Sequence, residues 1–163
     1  MKADDAGRSR GRHDLGLLDG LVQLSFAVHA ALGRVAERHE LSLIQVRLLG
    51  ILRDREPGMQ ELATYLNLDK SSITGLVTRA EGRGLVRRFT TPEDRRAVNV
   101  TLTPKGRELA QVFAKQLELE LAVLVQDLSE ADRRRLSTLA SRVVLDDLHR
   151  RYPDGVLPPR TPS

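Results

Sequence analysis

The run Met59-Gln60-Glu61-Leu62-Ala63-Thr64-Tyr65-Leu66-Asn67-Leu68-Asp69-Lys70-Ser71-Ser72-Ile73-Thr74-Gly75-Leu76-Val77-Thr78-Arg79 has the spacing of two short helices packed across a tight turn. Leu62 and Leu66 anchor the first helix, Ala63 is small where the second crosses, Leu68 plugs the turn, and Ile73 and Leu76 bury the inner side of the second. Asn67 stands where the chain must turn sharply in a left-handed conformation, which asparagine tolerates best after glycine. Asp69 then caps the second helix. That helix keeps Lys70, Ser71, Ser72, Thr74, Gly75, Thr78 and Arg79 on its outward face. Small, hydrogen-bonding side chains let a helix approach the floor of a DNA major groove, with Lys70 and Arg79 long enough for phosphates or guanine edges. A solvated polar helix in a bundle has a similar composition, so the flanking sequence bears on the choice.

Working outward on the C-terminal side, the helical pattern of Lys70–Arg83 stops at Gly84, and the period changes to two. Leu85–Thr90 and Ala97–Leu102 read as strands, the second with Val98, Val100 and Leu102 on one face and Ala97, Asn99 and Thr101 on the other. The loop between them ends in Asp94, Arg95 and Arg96. Arginine at a hairpin tip is drawn by the negative potential of a narrow minor groove, and Asp94 can fix its rotamer. A charged tip is also compatible with a plain soluble turn, but a wing directly after a helix-turn-helix favours DNA.

The rest of the chain supplies long helices. Leu17, Leu21, Leu24, Val28, Leu32 and Val35 predict an amphipathic helix over about 14–38. Ser42 with Gln45 forms a capping box for a second helix ending before Pro57-Gly58, its buried face being Leu43, Val46, Leu49 and Leu52. Thr103-Pro104 opens another long helix with Leu109, Phe113, Leu117, Leu121, Leu124 and Leu128 on one stripe. Ser129 to Asp132 caps a last one carrying Leu136, Leu139, Val143 and Leu148. Residues 1–12 read as a disordered basic tail and 151–163 as a proline-rich tail.

Composition narrows the function. At 163 residues the chain suits one domain, 40% hydrophobic and 29% charged, with no uninterrupted apolar run near the ~18 residues a membrane span needs. The amino terminus does not read as a secretory signal, so a cytoplasmic location without membrane attachment is expected. The absence of cysteine removes disulfides, thiol redox switches and Cys-based metal sites. Of the formal charge of +4, a net +3 falls between Asp69 and Arg96, as an electrostatic footprint for phosphates would. The sequence contains no phosphate loop, dinucleotide fingerprint, nucleophile elbow or His-x-x-x-His pair, and Asp146-Asp147 with His149 reads as helix surface rather than a metal site. Neither an enzyme nor a cofactor is expected; a winged helix that docks a protein partner is the stronger alternative.

The stretches Leu68–Thr74, Arg83-Gly84-Leu85-Val86 and Asp94–Gly106 resemble the MarR family of bacterial regulators, including the Asp-x-Arg wing signature and the Leu102-Thr103-x-x-Gly106 start of the fifth helix. Gly75 departs from the pattern, since relatives often carry a long polar residue there, and Ala80 replaces a larger apolar one. The resemblance implies a mainly α fold with a small β-hairpin wing. A domain over 13–150 would hold a winged helix-turn-helix at about 42–103 and dimerisation helices at about 14–39 and 104–150. It implies a homodimer on double-stranded DNA that binds a pseudo-palindromic operator and represses transcription, reading DNA through Lys70, Ser71, Ser72, Thr74, Gly75, Thr78, Arg79, Asp94, Arg95 and Arg96. It also implies a small phenolic or aromatic-acid effector near the junction of dimer helices and DNA-binding lobe, for which Phe26, His29, Arg47 and Phe113 are the candidates.

Overall fold

The computed structural model describes residues 14–90, 92 and 97–152. Along it run α1 (Gly16–Arg38), α2 (Leu43–Asp54), α3 (Met59–Leu66), α4 (Lys70–Gly82), β1 (Val86–Phe89), β2 (Asn99–Leu102), α5 (Pro104–Leu124) and α6 (Glu130–Arg151). The element order and the mainly helical class match the expectation. The basic tail over 1–12, residues 153–163 of the proline-rich tail, and Asp94, Arg95 and Arg96 of the wing lie outside the described residues; Arg151, expected to begin that tail, instead closes α6, whose backbone runs into a cap at Tyr152.

The local signals work as their chemistry requires. Ser42 and Gln45 form the capping box, with the Gln45 side chain accepting from the Ser42 backbone at 2.9 Å. Asn67 ends α3 at φ 54°, ψ 51°, inside the left-handed region. Thr103 caps α5, its hydroxyl oxygen accepting from the Gly106 backbone at 3.0 Å, and Pro104 takes the first turn. Gly84 stands at φ +70°, which favours glycine, as α4 gives way to the hairpin.

The core gathers α2, α3, α4, the hairpin and the first half of α5. α2 packs against α1, α3, α5 and β2. This corrects its expected buried face: Leu48, Leu49, Ile51 and Leu52 are buried, while Leu43 and Val46 are only partly covered. A helix surrounded on several sides buries more than the single stripe that periodicity selects. The strands are shorter than expected and pair antiparallel, with Val86 opposite Leu102 and Phe89 opposite Asn99. The expected alternation along the second strand also fails. Thr101 is buried and donates its hydroxyl to Glu56 Oε1 at 2.6 Å, whereas Val98 is exposed. The cause is coverage on both sides of β2 and a further pairing at its edge, where Val100 donates to the Pro57 carbonyl at 3.0 Å and the Val98 carbonyl accepts from Met59 at 3.1 Å.

The long helices leave this core. α1 buries only Ala31, Val35 and Ala36, and Leu17, Leu21 and Leu24 on its expected apolar stripe are exposed. The second half of α5 exposes Leu119, Val123 and Leu124, and α6 buries no residue at all within the chain. By length and composition α1 would also pass for a membrane crossing, with a window of mean hydropathy 1.3, although no single uninterrupted apolar run produces it. Its inner end is tied to α5 instead: Arg34 and Arg38 pair with Glu120 at 3.0 and 2.6 Å.

Candidate nucleic-acid interface

The helix-turn-helix is built from α3 and α4. Leu62, Leu66, Ile73 and Leu76 are all buried, with Ala63 and Leu68 partly buried against them, so the anchors fall where the spacing placed them. With its inner side so held, α4 turns Lys70, Ser71, Ser72, Thr74, Thr78 and Arg79 to solvent, and Gly75 is half-buried between them.

The hydroxyls on this face are already oriented. Asp69 Oδ1 accepts the Ser72 backbone N–H at 2.8 Å and the Ser71 hydroxyl at 2.7 Å, while Oδ2 accepts the Ser72 hydroxyl at 2.7 Å. The backbone bond from Ser72, then the two hydroxyls, hold the Asp69 carboxyl well below the usual carboxylate range. Thr74 donates its hydroxyl back to the Lys70 carbonyl at 2.7 Å. Each of these three hydroxyls has spent its proton locally and turns acceptor lone pairs outward. The side chains of Lys70 and Arg79 differ, having no hydrogen-bond or ion-pair partner among the described residues.

Two other arginines of the local charge excess serve as braces. Arg88 on β1 donates both its backbone N–H, at 2.9 Å, and its guanidinium to Glu81 of α4, and also donates to Thr78 Oγ1 at 3.0 Å and the Thr74 carbonyl at 3.3 Å. Arg83, capping the end of α4, donates to the Glu40 and His39 carbonyls at 2.6 and 3.0 Å, and Glu40 itself has a left-handed φ of 54°. The first brace ties α4 to the hairpin and the second ties it to the turn after α1. Neither has a sequence signal, because the partners meet only in the folded chain. Arg87 stacks its guanidinium over Phe89, 5.4 Å from the ring centre.

The effector candidates occupy separate settings. Phe26 and His29 share a shallow concavity on the exposed side of α1. Phe113 is buried in the core, 6.2 Å from the His39 ring, and borders a cavity of 140 Å³ between α2 and α5 that Arg53 also lines. Arg47 lines neither and donates to the Tyr65 carbonyl at 3.3 Å. No group of three metal-ligating side chains occurs among the described residues; Asp147 pairs with Arg151 at 2.8 Å, and His149 Nδ1 lies 2.7 Å from the Leu145 carbonyl.

Comparison with known proteins places this geometry in context. The family model described as "MarR family" matches residues 41–98. The chain is 39% identical over 107 residues to the HTH-type transcriptional regulator TtmR of Methylorubrum extorquens, 61% of this chain and 54% of that protein. It is 32% identical over 108 residues to the homoprotocatechuate degradative operon repressor of Escherichia coli, 65% of this chain and 72% of that one. It therefore spans about half the length of the first relative and nearly three quarters of the second. The crystal structure of MarR aligns with a TM-score of 0.71 at 28% identity, covering 85% of this chain and 96% of that chain. Both curated relatives are named for transcriptional regulation, one as a regulator and one as an operon repressor.

Proposed function

The chain belongs to the MarR family of helix-turn-helix transcriptional regulators, and from that premise we propose that it is a sequence-specific DNA-binding repressor, acting in the cytoplasm as a homodimer on a pseudo-palindromic operator. The observation that carries the reading is the outer face of α4: a rigidly capped helix with oriented hydroxyls and two cations, Lys70 and Arg79, that face solvent without a partner among the described residues. Residues 42–103 form the DNA-binding part, with Asp94, Arg95 and Arg96 of the wing reaching the minor groove. Helices over 14–39 and 104–150 form the dimerisation part, since their exposed leucines and valines suit a second copy. The twofold dimer sets half-sites one helical turn apart, ~34 Å. Occupancy of a promoter excludes polymerase, in keeping with the repressor among the relatives.

That relative is named for a degradative operon of an aromatic acid, which supports the reading that an anionic aromatic molecule releases this protein from DNA. Of the four residues expected to hold it, Phe26 and His29 are the pair proposed for it, suited to a site completed by the second subunit because they face outward from α1, whereas Arg47 and Phe113 lie apart from them.

Selection of bound duplexes from a random pool tests the reading, with the mass of the bound species determined. A pseudo-palindrome occupied by one dimer is the expected result. Salt-sensitive binding without enrichment would instead favour a winged helix that docks a protein partner.

A further inference from the structure

Gly75 lies in the middle of α4, at a position where packing does not require glycine. Its φ is not positive, and a Cβ built there meets a single atom within 4 Å, Arg79 Nη1 at 3.2 Å, which is the far end of a flexible side chain. Gly106 shows the opposite case, its Cβ position falling 1.9 Å from the Leu85 carbonyl oxygen. Glycine inside a helix is destabilising relative to alanine. Gly20, Gly33 and Gly50 are also mid-helix with nothing near a Cβ position, so what sets Gly75 apart is the Arg79 guanidinium 3.2 Å from that position and the recess it borders on the outer face of α4.

That recess, of 260 Å³, is bordered by Ile44, Leu68, Ser71, Ser72, Leu76 and Arg79, with Gly75 among them. It offers three apolar side chains, two serine hydroxyls whose protons are committed to Asp69, and a guanidinium without a partner among the described residues. The combination matches the edge of a base step in the major groove. A thymine methyl needs apolar contact, and guanine O6 and N7 need the two parallel donors of an arginine.

Resting on the operator-binding reading, we propose that Gly75 is a specificity-determining residue: the side chain it lacks lets the Arg79 guanidinium lie along α4 and opens a recess for a thymine methyl beside the guanine that Arg79 reads. A methyl group at position 75 would make the guanidinium shift from its place along α4 and would narrow the recess, so affinity for that step would fall while the helix itself gains propensity.

The experiment compares wild type with Gly75→Ala and, as a second small substitution, Gly75→Ser. Duplexes are first selected with wild type, and binding of the selected operator is then measured with its half-site thymines intact or replaced by deoxyuridine, which lacks the methyl. Thermal unfolding of each variant accompanies the binding. The expected result is tenfold or greater weakening in Gly75→Ala without a lower Tm. Deoxyuridine should weaken wild type several-fold at one thymine next to a guanine, and have little further effect on the variant. Wild-type enrichment that Gly75→Ala reproduces with equal affinity and equal deoxyuridine sensitivity overturns this inference alone. Absence of any enrichment with wild type overturns the regulator reading and this inference with it.

Discussion

Gly106 at the start of α5 runs so close to Leu85 that a Cβ built on it falls 1.9 Å from the Leu85 carbonyl oxygen. The same oxygen accepts the Thr103 backbone N–H at 3.0 Å, and the Thr103 hydroxyl donates to the Gly84 carbonyl at 2.6 Å. The Leu-Thr-x-x-Gly pattern is thus the joint where α5 leaves the DNA-binding lobe, and backbone cannot yield there as a side chain can. Gly106→Ala should lower stability by about 2–3 kcal/mol, the cost of overpacking a closed contact. Chemical denaturation at fixed protein concentration checks this, and a loss below about 0.5 kcal/mol would contradict the close approach.

The Asp69 cap predicts a pH dependence. Its carboxyl is held below the ordinary range chiefly by the Ser72 backbone bond and then by the Ser71 and Ser72 hydroxyls. A depressed folded pKa means the unfolded chain binds the proton first as pH falls. The contribution of Asp69 is therefore complete above the unfolded carboxylate range, about pH 4, and is lost below it as pH drops towards the depressed native value. Asp69→Asn, which keeps an accepting oxygen without the titrating group, should flatten the wild-type stability curve between about pH 4 and pH 2. A Tm-versus-pH profile unchanged by Asp69→Asn would show that the cap does not titrate as described.

How much of this was legible in sequence follows the range of each interaction. Asn67, Asp69, Ser42 with Gln45, and Thr103-Pro104 act within a few residues, so their chemistry predicts the observed caps and turn. Leu48 and Ile51 escaped because α2 is covered on several sides, and Thr101 because β2 has no solvated face. Charge counting treated Arg83 and Arg88 like any other base of the footprint. Their partners, Glu40 and His39 in one case and Glu81 in the other, become neighbours only when α4 packs against the α1–α2 turn and the hairpin.

The Arg88–Glu81 brace separates DNA affinity from stability. Both side chains are 29% exposed, so the pair itself contributes no more than about 1 kcal/mol to folding. By joining Arg88 on β1 to Glu81, Thr78 and Thr74 on α4, it also holds the hairpin against that helix. Glu81→Gln should lower operator affinity by about tenfold, ~1.4 kcal/mol, while Tm moves by a few degrees at most. A double-mutant cycle with Arg88→Lys tests whether the two act as a unit; purely additive losses would place the effect elsewhere.

The proposed dimer rests on apolar surface that one chain leaves open. Leu17 is 77% exposed on α1 and Val143 60% exposed on α6. Burying a leucine is worth ~1.5–3 kcal/mol, and burying an unpaired carboxylate in its place costs more. Leu17→Glu combined with Val143→Glu should yield a monomer in sedimentation equilibrium, with helical content kept in residues 42–103 and operator binding weakened at least a hundredfold. A double variant that remains dimeric would assign those faces to some other occupant.

Under the proposed reading, Lys70 and Arg79 would differ in what they contribute to DNA binding through α4, by their chemistry. An ammonium at the first turn of α4 meets a phosphate as a point charge and carries no sequence information. A guanidinium beside Gly75 can pair with a base edge through two donors. Lys70→Ala should therefore weaken operator and random duplex alike and reduce the slope of log K against log salt by ~1 for each phosphate it no longer neutralises. Arg79→Ala should cost about 1–3 kcal/mol on the operator, with a much smaller effect on random DNA and base preference relaxed at one position per half-site. Titrations of both duplexes at several salt concentrations resolve the two behaviours. If Arg79→Ala instead changed only the salt slope, its guanidinium would be a phosphate anchor, and base reading would fall to the acceptor hydroxyls of Ser71, Ser72 and Thr74, which pair with exposed amino groups of adenine or cytosine.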